Sequence, residues 1–130
     1  MSLNILVVDD SGVIRKMIIK TLRLAGVPVS EAHEAGDGQG GLDALDAHWI
    51  DMVFADLNMP GMNGEEMIAR IRASSEWGDM PIVIISTEGS ETRIQKLLDA
   101  NTRFIHKPFT PEAIRNVLVE KLGIDHASQS

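Results

Sequence analysis

The sequence predicts an α/β protein built on a doubly wound, five-stranded parallel sheet with helices on both faces. Three observations support this prediction. Short apolar runs alternate with amphipathic stretches five times along the 130 residues. The run at residues 5–8 is apolar without alternation, which is typical of a strand buried on both faces. Strict alternation of strands and helices favours right-handed crossovers and therefore a parallel sheet.

The apolar runs predict five strands. The second is interrupted by Pro28, Glu31 and Glu34, so we expect it at an edge of the sheet. The glycine-rich stretch at residues 36–41 is predicted to be a loop, with a short helix through Leu42 and Leu45 after it. The predicted strands cover residues 5–8, 27–35, 50–55, 82–85 and 104–105.

The first helix is bounded by strong local signals. Ser11 can accept hydrogen bonds at its beginning, and Gly26 marks its end. Between them, apolar residues recur at the spacing of one helix face. We expect that face to pack on the sheet; its members are Val13, Ile14, Met17, Ile18, Thr21 and Leu22.

The later helices begin at similar signals. Asn63 can cap a helix whose inward residues are Met67, Ile68 and Ile71, and another helix is expected at residues 91–98. Thr110 is followed by proline and glutamate, a strong helix start.

The last helix is expected to end at Gly123. This ending defines one domain over residues 4–123 and a short polar tail over residues 124–130. The length of the chain fits a single domain.

Composition excludes several classes of protein. The net charge is −7 and no cluster of Lys and Arg is present, which argues against nucleic-acid binding. No apolar run approaches the roughly 20 residues that span a bilayer. The absence of cysteine rules out disulfides and thiolate metal sites and agrees with a cytoplasmic location. Proteins, small phosphodonors and cations are the expected partners.

Polar side chains follow four of the predicted strands. In a doubly wound sheet, functional groups collect where the carboxyl ends of the strands meet. Three acids, two hydroxyls and one ammonium are therefore expected at one edge of the sheet. They are Asp9 and Asp10 after the first strand, Asp56 after the third, Ser86 and Thr87 at the fourth, and Lys107 after the fifth.

This set of groups suits phosphoryl chemistry. Two carboxylates ~4 Å apart repel by about 4 kcal/mol at an effective dielectric constant of 20, and a cation removes that cost. Oxygen ligands favour a hard ion such as Mg²⁺. Lys107 adds a positive charge for phosphate oxygens, and Ser86 or Thr87 can donate a hydrogen bond to them. Each feature alone has an ordinary structural explanation, but their joint occurrence at four strand ends indicates function.

Four segments carry a resemblance to a known family. They are ILVVDD at residues 5–10, ADLNMPGMNG at 55–64, IVIIST at 82–87 and KPF at 107–109. With them, nearly the whole chain resembles the receiver domains of two-component response regulators, and most closely the single-domain regulators of chemotaxis. The resemblance implies the flavodoxin-like strand order 2-1-3-4-5.

The resemblance also implies the role of each acid. Asp56 would be the phospho-acceptor. Asp10 and Asp56 would hold Mg²⁺ together with the backbone carbonyl of Asn58, and Asp9 would act largely through water. Lys107 would contact the phosphoryl group, and the bond between Lys107 and Pro108 resembles the cis peptide of the family.

Two further positions would form the conformational switch. Ser86 stands in place of the switch hydroxyl, where threonine is commoner, and Phe104 stands in place of the switch aromatic. Phenylalanine lacks the hydroxyl of the tyrosine that the family often has there. The expected output face comprises the fourth helix, the fifth strand and the fifth helix.

The implied function is a signalling switch rather than an enzyme. Asp56 would accept a phosphoryl group from a sensor histidine kinase or a phosphotransfer protein, and the altered surface would bind a target protein, with chemotaxis as one candidate pathway. Hydrolysis needs a water in line with the bond being broken. Asn58 and Glu88, two residues after Asp56 and Ser86, are expected to flank that approach and to favour a short-lived phosphoryl group.

Two other functions are compatible with the predicted fold. Phosphatases that use an aspartate nucleophile usually carry an Asp-x-Asp pair on the first strand and need additional chain for their substrate. Flavin-binding proteins of this strand order hold the flavin phosphate in a loop after the first strand, where Asp9 and Asp10 would repel it. Sustained turnover of a phosphatase substrate, or coloured protein, would favour one of these alternatives.

Overall fold

The computed structural model describes residues 2–122 and contains the predicted α/β fold. A five-stranded parallel sheet has the order β2-β1-β3-β4-β5, so the predicted strand order and the position of β2 at an edge are confirmed. The strands are β1 (Leu3–Val8), β2 (Val29–Ala35), β3 (Met52–Ala55), β4 (Ile82–Ser86) and β5 (Thr102–His106). The helices are α1 (Gly12–Leu24), α2 (Gly38–Ala47), α3 (Gly64–Ala73), α4 (Glu91–Gln95) and α5 (Pro111–Leu122).

Apolar side chains form a core on each face of the sheet. On one face, Ile18 and Leu22 of α1 and Ile114 and Leu118 of α5 pack against the strands. Helices α2 and α3 cover the other face, where the predicted inward residues of α3 are buried. The sheet is therefore buried on both sides, as the uninterrupted apolar strands predict. Within residues 2–122, no helix combines the length and apolar character that crossing a bilayer requires.

The strand register brings the polar strand ends together. Val8 is paired with Ala35 on one side and with Ala55 on the other. Asp56 N donates to Val8 O over 2.9 Å, so the first residues beyond β1 and β3 lie side by side. Lys107 N similarly donates to Ser86 O over 2.9 Å at the ends of β4 and β5.

The predicted caps of the helices are confirmed. Ser11 Oγ accepts from Ile14 N, Asn63 Oδ1 from Glu66 N and Thr110 Oγ1 from Ala113 N. Gly26, with φ of 88°, follows the end of α1. The predicted end of α5 at Gly123 and the tail over residues 124–130 lie outside the described residues.

The prediction of a loop over residues 36–41 is wrong from Gly38 onward, because α2 begins there. Asp37 caps the helix by accepting from Gly40 N over 2.7 Å. A Cβ on Gly38 would lie 2.6 Å from Met62 Cγ, and one on Gly41 would lie 2.7 Å from Met67 Sδ. These glycines allow the start of α2 to lie close to α3 and the loop before it.

Two other predictions about helices need correction. Val13 and Met17 of α1 are 70% and 50% exposed, because the buried face of the helix is narrower than the apolar pattern. Helix α4 ends at Gln95 rather than at residue 98. The chain then turns, with Leu97 N donating to Ile94 O, and Asp99 accepts hydrogen bonds from Asn101 N and Arg72 Nε instead of continuing a helix.

Candidate functional site

Three carboxylates lie together at the carboxyl ends of β1 and β3. Asp9 is 1% exposed, Asp56 is 9% exposed and Asp10 faces solvent. One oxygen from each of the three lies within 4.8 Å of the others. All the donors are hard carboxylate oxygens, so the cluster has the chemistry and spacing to hold a hard divalent cation.

Lys107 provides the positive charge beside two of these acids. Its Nζ donates to Asp9 Oδ2 over 3.0 Å and to Asp56 Oδ2 over 3.3 Å. Burial disfavours the charged ammonium, but the hydrogen bond that Lys107 donates to Asp9 and the charge of Asp56 outweigh it, so the pKa of Lys107 is raised. The ammonium therefore remains charged at neutral pH between the nearly buried Asp9 and Asp56.

Backbone groups orient the same carboxylates. Asp9 Oδ1 accepts from Ser11 N over 2.9 Å, and Asp56 Oδ1 accepts from Leu57 N over 2.7 Å. Arg15 Nη1 donates to Asp9 O over 2.7 Å and Arg15 Nε to Glu34 Oε1 over 2.9 Å, which ties the loop after β1 to β2. Asp9 and Asp56 are thus each held at one oxygen by a backbone N–H and at the other by Lys107 Nζ.

Gly64 lets the loop that carries Asp56 fold back on itself. It is the first residue of α3, and its N–H donates to Leu57 O over 2.9 Å. A Cβ at this position would lie 2.1 Å from Asp56 O and 2.9 Å from Leu57 Cα. Since backbone atoms cannot yield as a flexible side chain can, the geometry after β3 requires glycine here.

The two hydroxyls at the end of β4 have different environments. Ser86 is fully buried, and its Oγ accepts from Glu88 N over 3.2 Å. Thr87 is exposed. Phe104 on β5 is half-buried, and its ring contacts that of His106 with centroids 4.6 Å apart. The structure thus places Ser86 in the interior next to the strand that carries Phe104.

Asn58 and Glu88 are linked by a residue that the sequence analysis missed. Arg93 of α4 forms ion pairs with Glu88 and with Glu65 at the start of α3. Its Nη2 also donates to Asn58 Oδ1 over 3.3 Å. We call Asn58, Glu65, Glu88 and Arg93 the Arg93 cluster. The hydrogen bond that Arg93 donates to Glu65 is the main cause that raises the pKa of Arg93, so the guanidinium is always charged.

The structure therefore brings together the residues after β1, β3 and β5, with Ser86 buried at the end of β4. The Lys107–Pro108 bond is cis, as the resemblance implied. No signal in the sequence pointed to Arg93, because an arginine on a short helix is usually a solvated surface residue.

A comparison of the chain with known protein families identifies the class to which this fold and this acidic cluster belong. The model of the response regulator receiver domain matches residues 5–119. The chain belongs to this family. The limits of the domain at residues 4 and 123 remain a prediction.

The relatives of the chain narrow the class to regulators like CheY. A chemotaxis protein CheY homolog from Campylobacter jejuni is 36% identical over 123 residues, covering 93% of each chain. Chemotaxis protein CheY1 of Helicobacter pylori is 35% identical, covering 93% of this chain and 98% of that protein.

A solved structure supports the same relationship. The structure of chemotaxis protein CheY4 from Vibrio cholerae matches with a TM-score of 0.78 and 32% identity, covering 92% of this chain and 98% of that one. The chain is thus a receiver domain closely related to CheY chemotaxis regulators. Its role is that of a signalling domain that accepts a phosphoryl group, and such domains work with histidine kinases and downstream targets.

Proposed function

We propose that Asp56 is the residue that accepts the phosphoryl group. The observation that supports this proposal most strongly is the nearly buried Asp56, which accepts from Lys107 Nζ over 3.3 Å and lies in a cluster with Asp9 and Asp10. Such a cluster attracts a cation and, once neutralised, can receive the oxygens of a phosphoryl group.

The transfer would proceed by attack of a carboxylate oxygen of Asp56 on the phosphorus of a phosphohistidine. The new P–O bond forms as the P–N bond breaks, and the imidazole leaves with the bonding electron pair and takes a proton from water. Lys107 stabilises the charge on the phosphoryl oxygens. Mg²⁺ held by Asp10, Asp56 and the carbonyl of Asn58, with Asp9 acting through water, would supply further positive charge at the same oxygens.

Replacing Asp56 with asparagine tests this assignment. Asparagine keeps the size of the side chain but is not a nucleophile, so we expect the variant to gain no phosphoryl group. Wild-type protein and Asp56→Asn are incubated with acetyl phosphate and Mg²⁺ and compared by intact mass. A stable phosphoryl adduct on the variant at the wild-type yield would show that the acceptor is another residue.

Ser86 and Phe104 would form the switch that responds to phosphorylation. The Ser86 hydroxyl now accepts from Glu88 N, and turning toward the phosphoryl oxygens would break that hydrogen bond. Phe104 is only half-buried and can move toward the space that Ser86 leaves. Because the two side chains lie on paired strands, a change at one alters the packing of the other.

This switch predicts where the surface changes. Beryllofluoride, which mimics a phosphoryl group, should shift the amide resonances of α4, β5 and α5 in the wild-type protein with Mg²⁺. The same addition to Asp56→Asn serves as the control and should leave these resonances in place. Shifts confined to the loop after β3 would contradict a switch that reaches the output face.

The remaining partners follow from this function. A sensor histidine kinase or phosphotransfer protein would supply the phosphoryl group, and a protein target would bind the face formed by α4, β5 and α5. Asn58 and Glu88 would influence how long the phosphoryl group lasts. We propose a cytoplasmic domain in chemotaxis that acts as a switch rather than as an enzyme with a separate substrate. The net charge of −7 supports a protein target over nucleic acid.

A further inference from the structure

The Arg93 cluster includes the two side chains that would orient the water for hydrolysis of the aspartyl phosphate. Asn58 and Glu88 follow the neighbouring strands β3 and β4, and they are the residues expected to flank the approach of water to Asp56. To orient a water toward phosphorus, one of these side chains must offer it a free hydrogen-bond acceptor. The side-chain oxygens of both residues already accept hydrogen bonds, from Arg93 and from the backbone N–H of Ser90.

The hydrogen bonds of the cluster can be traced atom by atom. Arg93 Nη1 donates to Glu88 Oε1, and Ser90 N donates to Glu88 Oε2 over 3.0 Å. Arg93 Nη2 reaches Asn58 Oδ1 at 3.3 Å. Glu65 binds the same guanidinium and fixes it from the side of α3. Glu88 is thus held at both oxygens, and one arginine joins the loops after β3 and β4.

We infer that Arg93 is a positioning residue that slows hydrolysis of the aspartyl phosphate by holding Glu88 and Asn58 away from the incoming water. The inference rests on the proposed phosphorylation of Asp56 and adds to it a determinant of how long the signal lasts. Arg93 acts through its neighbours and does not take part in the transfer itself. Removing it should release both acceptors and shorten the lifetime of the phosphoryl group.

The experiment measures phosphoryl loss rather than phosphoryl gain. Wild-type protein, Arg93→Gln and Arg93→Lys are loaded with acetyl phosphate and Mg²⁺, freed of donor, and followed by intact mass at fixed Mg²⁺. We expect Arg93→Gln to decay about two- to fivefold faster, the range that corresponds to loss of one exposed ion pair. Arg93→Lys should lose its phosphoryl group at an intermediate rate because lysine keeps the positive charge but not the planar set of N–H donors of the guanidinium.

A matched control and a double variant separate positioning from general loosening. Arg70→Gln removes an exposed arginine from α3 and should decay at the wild-type rate. If Arg93 acts through Glu88, adding Arg93→Gln to Glu88→Gln should change the decay rate less than it does in the wild-type protein. Higher salt should accelerate decay of the wild-type protein more than that of Arg93→Gln, because salt screens the ion pairs.

The outcomes distinguish this inference from the proposed function. Phosphorylation of every variant with a wild-type or slower decay of Arg93→Gln would overturn the inference and leave the assignment of Asp56 standing. An undiminished effect of Arg93→Gln in the Glu88→Gln background would also overturn it. Absence of phosphorylation from the wild-type protein would overturn the proposed function and the inference together.

Discussion

Lys107→Met is expected to destabilise the metal-free protein by about 3 kcal/mol, the lower end of the range found when one partner of a buried ion pair is removed. Lys107 Nζ is hydrogen-bonded to Asp9, which is almost fully buried, and to Asp56. Methionine fills a similar volume but leaves these acids without a positive charge. The free energy of unfolding, measured by denaturant titration in the presence of a chelator, tests the expectation.

Magnesium should reverse much of this loss. A cation at the acidic cluster replaces the missing charge, and binding to the folded state alone adds stability that grows with the ratio of free metal to dissociation constant. Mg²⁺ should therefore stabilise Lys107→Met more than the wild-type protein. Lys20→Met, which removes an exposed lysine from α1, is the control. Equal stability of Lys107→Met and Lys20→Met in chelator would contradict the electrostatic role of Lys107.

Gly64→Ala is the second substitution with a large expected effect. The new Cβ would lie 2.1 Å from Asp56 O, so the loop after β3 or the start of α3 must move. We expect a loss of about 3 kcal/mol in the free energy of unfolding, at the upper end of overpacking effects. Because the displaced atoms belong to Asp56 itself, phosphorylation by acetyl phosphate should fall as well.

Gly89→Ala is the matched control for this prediction. A Cβ on Gly89 meets nothing within 4 Å, so the same chemical change should alter stability by less than about 1 kcal/mol. Both variants are compared with the wild-type protein in the same denaturant titration. A Gly64→Ala variant as stable as Gly89→Ala would show that the loop tolerates a side chain and that its close approach is not required.

The fold was predictable because local and global signals agree in this chain. The uninterrupted apolar strands require cover on both faces, and the alternation with helices provides it. The caps at Ser11, Asn63 and Thr110 act within a single turn of helix, so a short window of sequence reveals them. The edge position of β2 was predicted from Pro28, Glu31 and Glu34, which interrupt the apolar pattern at and just before this strand.

The errors arise where tertiary contacts override local preference. Glycine disfavours a helix in isolation, yet Gly38 and Gly41 lie in α2 because larger residues would collide with Met62 and Met67. Val13 and Met17 match the apolar period of α1 but point away from the sheet. A periodic apolar pattern shows which side of a helix faces the core, but it does not show how much of that side the neighbouring sheet covers.

The functional site also contains one part that could be predicted from the sequence and one part that could not. The juxtaposition of Asp9, Asp56 and Lys107 follows from the rule that parallel strands end at one edge, so the sequence was sufficient to predict it. The Arg93 cluster joins α4 to two loops and depends on the path of each backbone. No spacing in the sequence indicates that Arg93 lies close to Asn58, Glu65 and Glu88, and only the three-dimensional structure shows it.

The most direct test of the central claim identifies the residue that carries the phosphoryl group. Protein incubated with acetyl phosphate and Mg²⁺ is reduced with borohydride, which converts an aspartyl phosphate into homoserine, and its fragments are sequenced by mass spectrometry. We predict homoserine at position 56 and at no other aspartate. Homoserine at position 9 or 10, or a phosphoryl group retained on Ser86 or Thr87, would contradict the assignment of Asp56 as the acceptor.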